Sequence, residues 1–85
     1  MADALTDGIR DILREHGDLG VDVAEVTDIS NLYYAGLTSL GTVALMLALE
    51  ERFGVEFPDR MLRRAAFASI AQIRAGLQEL IGGVA

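Results

Sequence analysis

The chain has 85 residues, enough for one domain, and a domain of this size buries only about 60% of the surface that its unfolded chain exposes. It has room for one modest core and none for a deep enzyme pocket beside it. Apolar residues make up 52% of the chain, which argues against disorder. There is no cysteine, which excludes disulfides, thiolate metal sites and cysteine nucleophiles.

The net charge is −6, and all seven basic residues are arginines. Such a chain repels nucleic acid and anionic membranes and attracts partners with basic docking surfaces. Its start lacks the basic and apolar run of a signal peptide. The longest apolar stretch, around Leu40 to Leu49, is shorter than the about 20 residues that span a bilayer. We therefore expect a soluble, monomeric, cytoplasmic protein.

The first third predicts one helix and a long connection. Apolar residues at helical spacing (Leu5, Ile9, Ile12 and Leu13) predict helix I over residues 3–16, with Asp3 as its cap and Gly17 and Gly20 at its end. Residues 17–38 predict a loop, and loops longer than about 12–15 residues are uncommon unless functional. We expect this loop to pack onto the helices through its apolar residues: Val21, Val23, Val26, Ile29, Leu32, Tyr33 and Tyr34. Gly36 predicts a turn.

The stretch from Leu40 to Phe53 predicts helix II, capped by Thr38 or Ser39 and ended by Gly54. This helix is apolar around most of its girth, so it is either deeply buried or in contact with something else. A domain this small cannot bury it on every side. We therefore expect part of its apolar surface to bind a partner.

The last third predicts a short helix III over Arg60 to Ala66, entered through Pro58, and a longer final helix. Ser69 and Gln72 have the spacing of a capping box at its start. The core stripe of the final helix comprises Ile70, Ile73, Leu77, Leu80 and Ile81, and Gly82 and Gly83 end it. Residues 1–85 thus predict one all-α domain, a small antiparallel four-helix bundle of three longer helices and the short helix III.

Three serines are candidates for hydroxyl chemistry: Ser30 in the long loop, Ser69 with a capping role, and Ser39 at the junction before helix II. The first turn of a helix offers unpaired N–H groups and the positive end of the dipole, which favour a phosphate there. Serine is also a preferred helix cap. Taken alone, the residue pattern favours a simple cap at Ser39, although the two roles are compatible.

The stretch Ala35-Gly36-Leu37-Thr38-Ser39-Leu40-Gly41-Thr42-Val43-Ala44-Leu45 resembles the attachment region of acyl and peptidyl carrier proteins. Those proteins place a modified serine in a short Asp-Ser-Leu or similar motif at the start of helix II. The match continues over residues 47–59 and upstream at residues 19–21 and 25–26. The resemblance implies an acyl-carrier-protein-like fold, a 4′-phosphopantetheine arm on Ser39 attached by a phosphopantetheinyl transferase, and an acyl or aminoacyl thioester presented to partner enzymes.

Departures from the common pattern bear on the cargo. Thr38 stands where many acyl carriers have Asp, and Gly41 and Ala44 occupy positions that are often acidic in fatty-acid carriers. The segment over residues 56–62 is similar to free-standing carriers charged with an amino acid by ligases related to aminoacyl-tRNA synthetases. Fatty acyl, polyketide and amino acid cargoes all stay open at this point.

The candidate docking residues lie on helix II and near helix III: Leu40, Val43, Leu47, Glu50, Glu51, Arg63 and Arg64. For the apolar ones the alternative is core packing, and for the arginines it is a solvated surface. His16 is the single histidine and has neither a metal-binding cluster nor a nucleophile pattern near it, so we predict no metal site and no enzyme. The alternative function is an unmodified helical interaction module that docks through helix II.

Overall fold

The computed structural model describes residues 4–82, and within them the chain forms three α-helices and several short turns. Helix α1 spans Ala4–Ile12 and continues as a wider π-helical turn over Leu13–Gly17. Helix α2 spans Ser39–Phe53 and helix α3 spans Ile70–Ile81. The described residues contain no strand. The all-α prediction is confirmed.

Helix α1 presents the apolar stripe that its spacing predicts. Ile9, Ile12 and Leu13 are buried, and the helical stretch ends at Asp18, whose φ of 50° is left-handed. The predicted range of residues 3–16 therefore agrees with the structure at its end. Asp3, the expected cap, lies outside the described residues.

One core joins all the helices and the long loop. Phe57 and Phe67 meet edge to face inside it, with 5.4 Å between ring centres. Ile81 is the exception to the stripe predicted for α3, because it is 49% exposed at the end of the helix. The residues with the least exposure are Ile9, Leu13, Leu32, Leu45, Leu49, Ile70, Ile73 and Leu77.

The long loop packs as predicted with only part of its apolar residues. Val23, Val26, Leu32 and Leu37 are buried, whereas Val21, Ile29 and Tyr34 are exposed. The first set lies on the side of the loop that faces the core. The exposed set leaves apolar surface on the segment that leads into α2.

Hydrogen bonds fix this loop to the helices. The Leu32 N–H donates to the carbonyl oxygen of Ala68 at 2.7 Å. The guanidinium of Arg10 on α1 donates to the carbonyl oxygen of Val23 at 3.1 Å and to Asp28 Oδ1 at 2.9 Å. Arg10 of α1 therefore holds the loop through two of its residues.

Two glycines, one before α2 and one inside it, lie where two segments of backbone approach each other closely. Gly36 has φ of 118°, and a Cβ there would lie 2.6 Å from the backbone nitrogen of Gly20. A Cβ at Gly41 would lie 3.2 Å from the carbonyl oxygen of Gly17. The turn predicted at Gly36 is confirmed, and both glycines set how closely the loop and the end of α1 approach the start of α2.

The short helix III is not a single helix. The chain forms two separate 3-10 turns, Asp59–Met61 and Arg64–Phe67, with extended backbone at Arg63 (φ −143°, ψ 158°) between them. Met61 and Phe67 are both buried in the core. In a regular α-helix, two side chains six residues apart point about 120° away from each other, so one helix would direct Met61 and Phe67 less well toward the same core. The break in the helix removes that conflict.

Candidate functional site

The start of α2 separates two hydroxyl groups by one residue. Thr38 is the cap, because its Oγ1 accepts a hydrogen bond from the Gly41 N–H at 3.0 Å. Ser39 is the first residue of the helix, and its side chain is exposed. Among residues 4–82, no hydrogen bond involves the Ser39 hydroxyl. The capping role that the sequence left open between these residues therefore belongs to Thr38, and the Ser39 hydroxyl is available for reaction.

The surroundings of the Ser39 hydroxyl suit an anion. The N–H groups of Ser39 and Leu40 lie in the first helical turn, where the helix supplies no acceptor for them. The first turn also contains no acidic residue, and the helix dipole is positive at this end. A phosphate ester on Ser39 would therefore meet donors and a favourable field. These features fit a phosphopantetheine group, whose own thiol supplies the thioester chemistry.

An open groove of about 360 Å³ includes Ser39 and lies between α2 and residues 62–67. We call it the Ser39 groove. Its lining is mostly apolar and comes from the loop, α2 and the turns, so it is built from segments far apart in sequence. The lining residues are Tyr33, Ser39, Thr42, Val43, Met46, Leu62, Arg63, Arg64 and Phe67.

The two cations of this groove differ in how they are held. The Arg64 guanidinium lies over the Tyr33 ring, 3.7 Å from its centre, and the Tyr33 hydroxyl donates to the Arg64 carbonyl oxygen at 2.9 Å. Arg63 makes no ion pair or hydrogen bond through its side chain within residues 4–82. Arg60 is different, since it pairs with Glu79 at 2.8 Å.

Comparison with known proteins identifies the family. The model of the phosphopantetheine attachment site family matches residues 7–77, a range that contains Ser39 and the whole Ser39 groove. The chain belongs to this family. It is a carrier protein domain with a phosphopantetheine group, as the resemblance at Ala35–Leu45 implied.

Individual relatives agree with this assignment. The carrier is 44% identical over 75 residues to an aminoacyl carrier protein of Agrobacterium fabrum, covering 88% of this chain and 90% of that protein. It also resembles a chain in the crystal structure of an engineered Bradyrhizobium japonicum glycine:[carrier protein] ligase complexed with carrier protein from Agrobacterium tumefaciens and ATP. That match has a TM-score of 0.87 and 42% identity, and it covers 89% of this chain and 99% of the other. Because an 85-residue domain covers almost all of it, the matched chain is the carrier protein.

A solution structure of an Agrobacterium tumefaciens protein is similar as well. It has a TM-score of 0.75 and 42% identity, with 92% of this chain and 94% of that chain covered. Both matched structures are 42% identical in sequence to this chain, well above the range in which a structural likeness shows the fold alone. This carrier therefore shares their all-α fold, with two 3-10 turns in the place of helix III.

The docking candidates on α2 are not core residues. Leu40 is 82% exposed, and Val43 and Leu47 are about half exposed. Leu40, Val43 and Leu47 remain available to a partner, although two of them open into different grooves. Val43 lines the Ser39 groove, whereas Leu47 lines a groove of about 500 Å³ between α1 and α2.

The two acidic docking candidates have different surroundings. Glu50 accepts a hydrogen bond from the Phe57 N–H at 2.8 Å, so its carboxylate holds the chain after α2. Glu51 is exposed and lines the groove between α1 and α2. Docking through either residue stays a prediction, and Glu51 is the better placed of the two.

Sequence reasoning missed several residues of the Ser39 groove. Tyr33, Met46, Leu62 and Phe67 line it, and only the aromatic character of Tyr33, close before the attachment motif, offered a signal.

His16 is exposed in the last turn of the α1 stretch. In the part of the chain that the structure describes, no three His, Cys, Asp or Glu residues could together hold a metal ion. No helix in residues 4–82 has the length and apolar character needed to cross a membrane.

Proposed function

We propose that Ser39 carries the 4′-phosphopantetheine arm and that the arm presents an aminoacyl thioester. The first part is supported by the different roles of two adjacent hydroxyl groups at the start of α2. Thr38 accepts the capping hydrogen bond, and the adjacent Ser39 hydroxyl is exposed and has no hydrogen bond within residues 4–82. A transferring enzyme can therefore approach and consume this hydroxyl without removing a stabilising interaction.

The other serines are less suited to the arm. Ser69 Oγ accepts a hydrogen bond from the Gln72 N–H at 3.1 Å and is buried, so modification there would uncap α3. Ser30 Oγ accepts from the Thr27 N–H at 3.0 Å inside a loop turn. Neither offers the unpaired N–H groups of a helix start beside a free hydroxyl.

Two considerations favour an amino acid as the cargo. The relatives described above include an aminoacyl carrier protein and a carrier bound to a glycine:[carrier protein] ligase. An aminoacyl thioester carries an α-ammonium group that is well hydrated, so it needs water around it. The Ser39 groove is open and carries the guanidinium groups of Arg63 and Arg64, which disfavour a third cation inside it. The small charged cargo would accordingly stay at the end of the arm, in reach of a partner.

Partner enzymes carry out all the chemical steps. A phosphopantetheinyl transferase attaches the arm, and an amino acid ligase related to aminoacyl-tRNA synthetases loads the thiol. The carrier holds and presents the cargo without catalysing a step of its own. We expect it to act as a monomer in the cytoplasm.

Intact mass spectrometry after coexpression with a broad phosphopantetheinyl transferase tests the attachment site. The wild-type chain and the control Ser30→Ala should both gain the mass of phosphopantetheine, and Ser39→Ala should gain none. Absence of the gain in a folded wild-type chain supports the alternative, an unmodified interaction module that docks through α2. A gain that survives Ser39→Ala assigns the arm to another residue.

A loading assay tests the cargo. The modified carrier is offered to amino acid ligases and to fatty-acid ligases with ATP and their substrates, and hydroxylamine-labile mass gains are measured. We expect an aminoacyl adduct that depends on Ser39. Loading by fatty acids alone would refute the amino acid assignment while leaving the carrier function intact.

A further inference from the structure

We propose that Arg63 and Arg64 bind the phosphodiester of the arm on Ser39 and so hold the base of the arm against the Ser39 groove. This inference rests on the proposed attachment at Ser39 and adds a function for the arginine pair. The sequence predicts this pair as a contact for partner enzymes. The structure supports a role for it inside the carrier itself.

The distribution of charge is the first observation. The carrier has a net charge of −6, yet the Ser39 groove contains two arginines and no carboxylate. Most other arginines of the described chain are neutralised locally by a carboxylate. Arg10 pairs with Asp28, Arg14 and Arg52 with Asp11, and Arg60 with Glu79.

Arg63 and Arg64 lack such a partner among residues 4–82. Uncompensated positive charge in an acidic protein attracts anions, and it lies in the groove that contains the hydroxyl to be modified. A phosphodiester on Ser39 brings one negative charge to that place. Arginine is well suited to it, because the planar guanidinium can donate two hydrogen bonds to one phosphate.

Arg64 is held in place before the arm arrives. Its guanidinium stacks on the Tyr33 ring at 3.7 Å, and the Tyr33 hydroxyl bonds the Arg64 carbonyl oxygen at 2.9 Å. Tyr33 is itself fixed, because its N–H donates to Asn31 Oδ1 at 2.9 Å. Stacking uses the face of the guanidinium and leaves its N–H edge free to donate. Less conformational entropy is therefore lost when Arg64 binds an anion.

The break in helix III separates these arginines from Arg60. In one continuous helix, residues 60, 63 and 64 would lie on the same face, at spacings of three and four. The extended backbone at Arg63 interrupts that face. Arg60 pairs with Glu79 of α3. Arg64 lines the Ser39 groove, and Arg63 lies between this groove and a second groove that is lined in part by residues of α3.

Nuclear magnetic resonance of the isolated carrier tests the proposal without any ligase. The unmodified and modified forms are compared at the arginine Nε–Hε resonances, with complete modification checked by intact mass. We expect attachment of the arm to shift Arg63 and Arg64 several times more than the control Arg60. About 1 M salt, where the Debye length is about 3 Å, should reduce the shift.

Variants make the test quantitative. In Arg64→Gln, the phosphorus resonance of the arm should move toward that of free phosphopantetheine, and Arg64→Lys should restore part of the difference because it keeps the charge and loses the planar fork. The matched control Arg60→Gln should leave the phosphorus resonance unchanged. Identical arginine spectra before and after complete modification would overturn the proposal and return the pair to partner docking or solvent. If no arm is added to a folded chain, the proposed attachment fails first, and this inference fails with it.

Discussion

Removing the hydroxyls of Thr38 and Ser39 one at a time should separate the effect on the stability of the fold from the effect on attachment of the arm. Thr38→Ala leaves the Gly41 N–H without the acceptor that now lies 3.0 Å away. Loss of a helix cap costs about 1 kcal/mol, with a range of about 0.5–2. In a domain of this size, 1 kcal/mol lowers the melting temperature by about 4–8 °C. Ser39→Ala removes an exposed hydroxyl with no hydrogen bond among the described residues, so its effect should stay within about 0.5 kcal/mol.

The assay combines thermal unfolding of the unmodified proteins, followed by circular dichroism, with intact mass after treatment with the transferase. Thr38→Ala should melt at a lower temperature and still gain the arm. Ser39→Ala should melt close to the wild type and gain nothing. Thr38→Ser keeps a hydroxyl at the cap and should recover most of the lost stability.

Two results would refute the reasoning. If Ser39→Ala lowers the melting temperature as much as Thr38→Ala does, the Ser39 hydroxyl also has a structural role, and the assignment of different roles to the two hydroxyls is wrong. If Thr38→Ala leaves the melting temperature unchanged, the hydrogen bond to Gly41 does not stabilise the start of α2. Either result would also weaken the case for Ser39 as a hydroxyl that the fold can spare.

Urea unfolding measures three further predictions. Gly36→Ala should lower the free energy of unfolding by at least about 1–2 kcal/mol, because φ is 118° and the Cβ would meet backbone. Gly76→Ala, within α3, should raise it by up to about 1 kcal/mol, because the added Cβ would meet Phe57 Cε1 at 4.0 Å, an ordinary van der Waals contact. Equal effects of the two substitutions would contradict the turn geometry. Leu45→Ala, in the core, should cost about 2–5 kcal/mol, and Leu40→Ala, 82% exposed, should cost less than about 0.5 while weakening binding to a loading ligase; unchanged binding would remove Leu40 from the docking face. Glu50→Ala should cost about 1.5 kcal/mol through the lost bond to the Phe57 N–H, and Glu50→Gln should restore most of it; no loss in the alanine variant would leave Glu50 as a docking residue only.

The long helices could be predicted from the sequence because their signals are local. Gly54 ends α2 with φ of 64°, and the Ser69 side chain caps α3, both as the sequence predicts. Helix III could not be predicted in the same way. Its break follows from burying Met61 and Phe67 in one core, and no residue between them marks the place where the backbone becomes extended. That information lies in the packing.

The site could be predicted in part for a similar reason. The attachment motif is continuous along the chain, so Ser39 stands out in the sequence. The Ser39 groove combines Tyr33, Met46 and Leu62 from three separate segments, which only the fold brings together. On α2 itself, residues 43–49 are all apolar, so no polar residue in this stretch marks which side chains point outward. Leu45 and Leu40 therefore look alike in sequence although one is buried and the other exposed.

The placement of the cap and the reactive hydroxyl on adjacent residues has a consequence for how partners recognise the carrier. Modification consumes the Ser39 hydroxyl, whereas the hydrogen bond that begins α2 comes from Thr38. The helix should therefore keep its start whether or not the arm is present. An enzyme that must distinguish the unmodified from the modified carrier then has to contact the arm itself or the groove and arginines beside it, since the start of α2 should be the same in both forms.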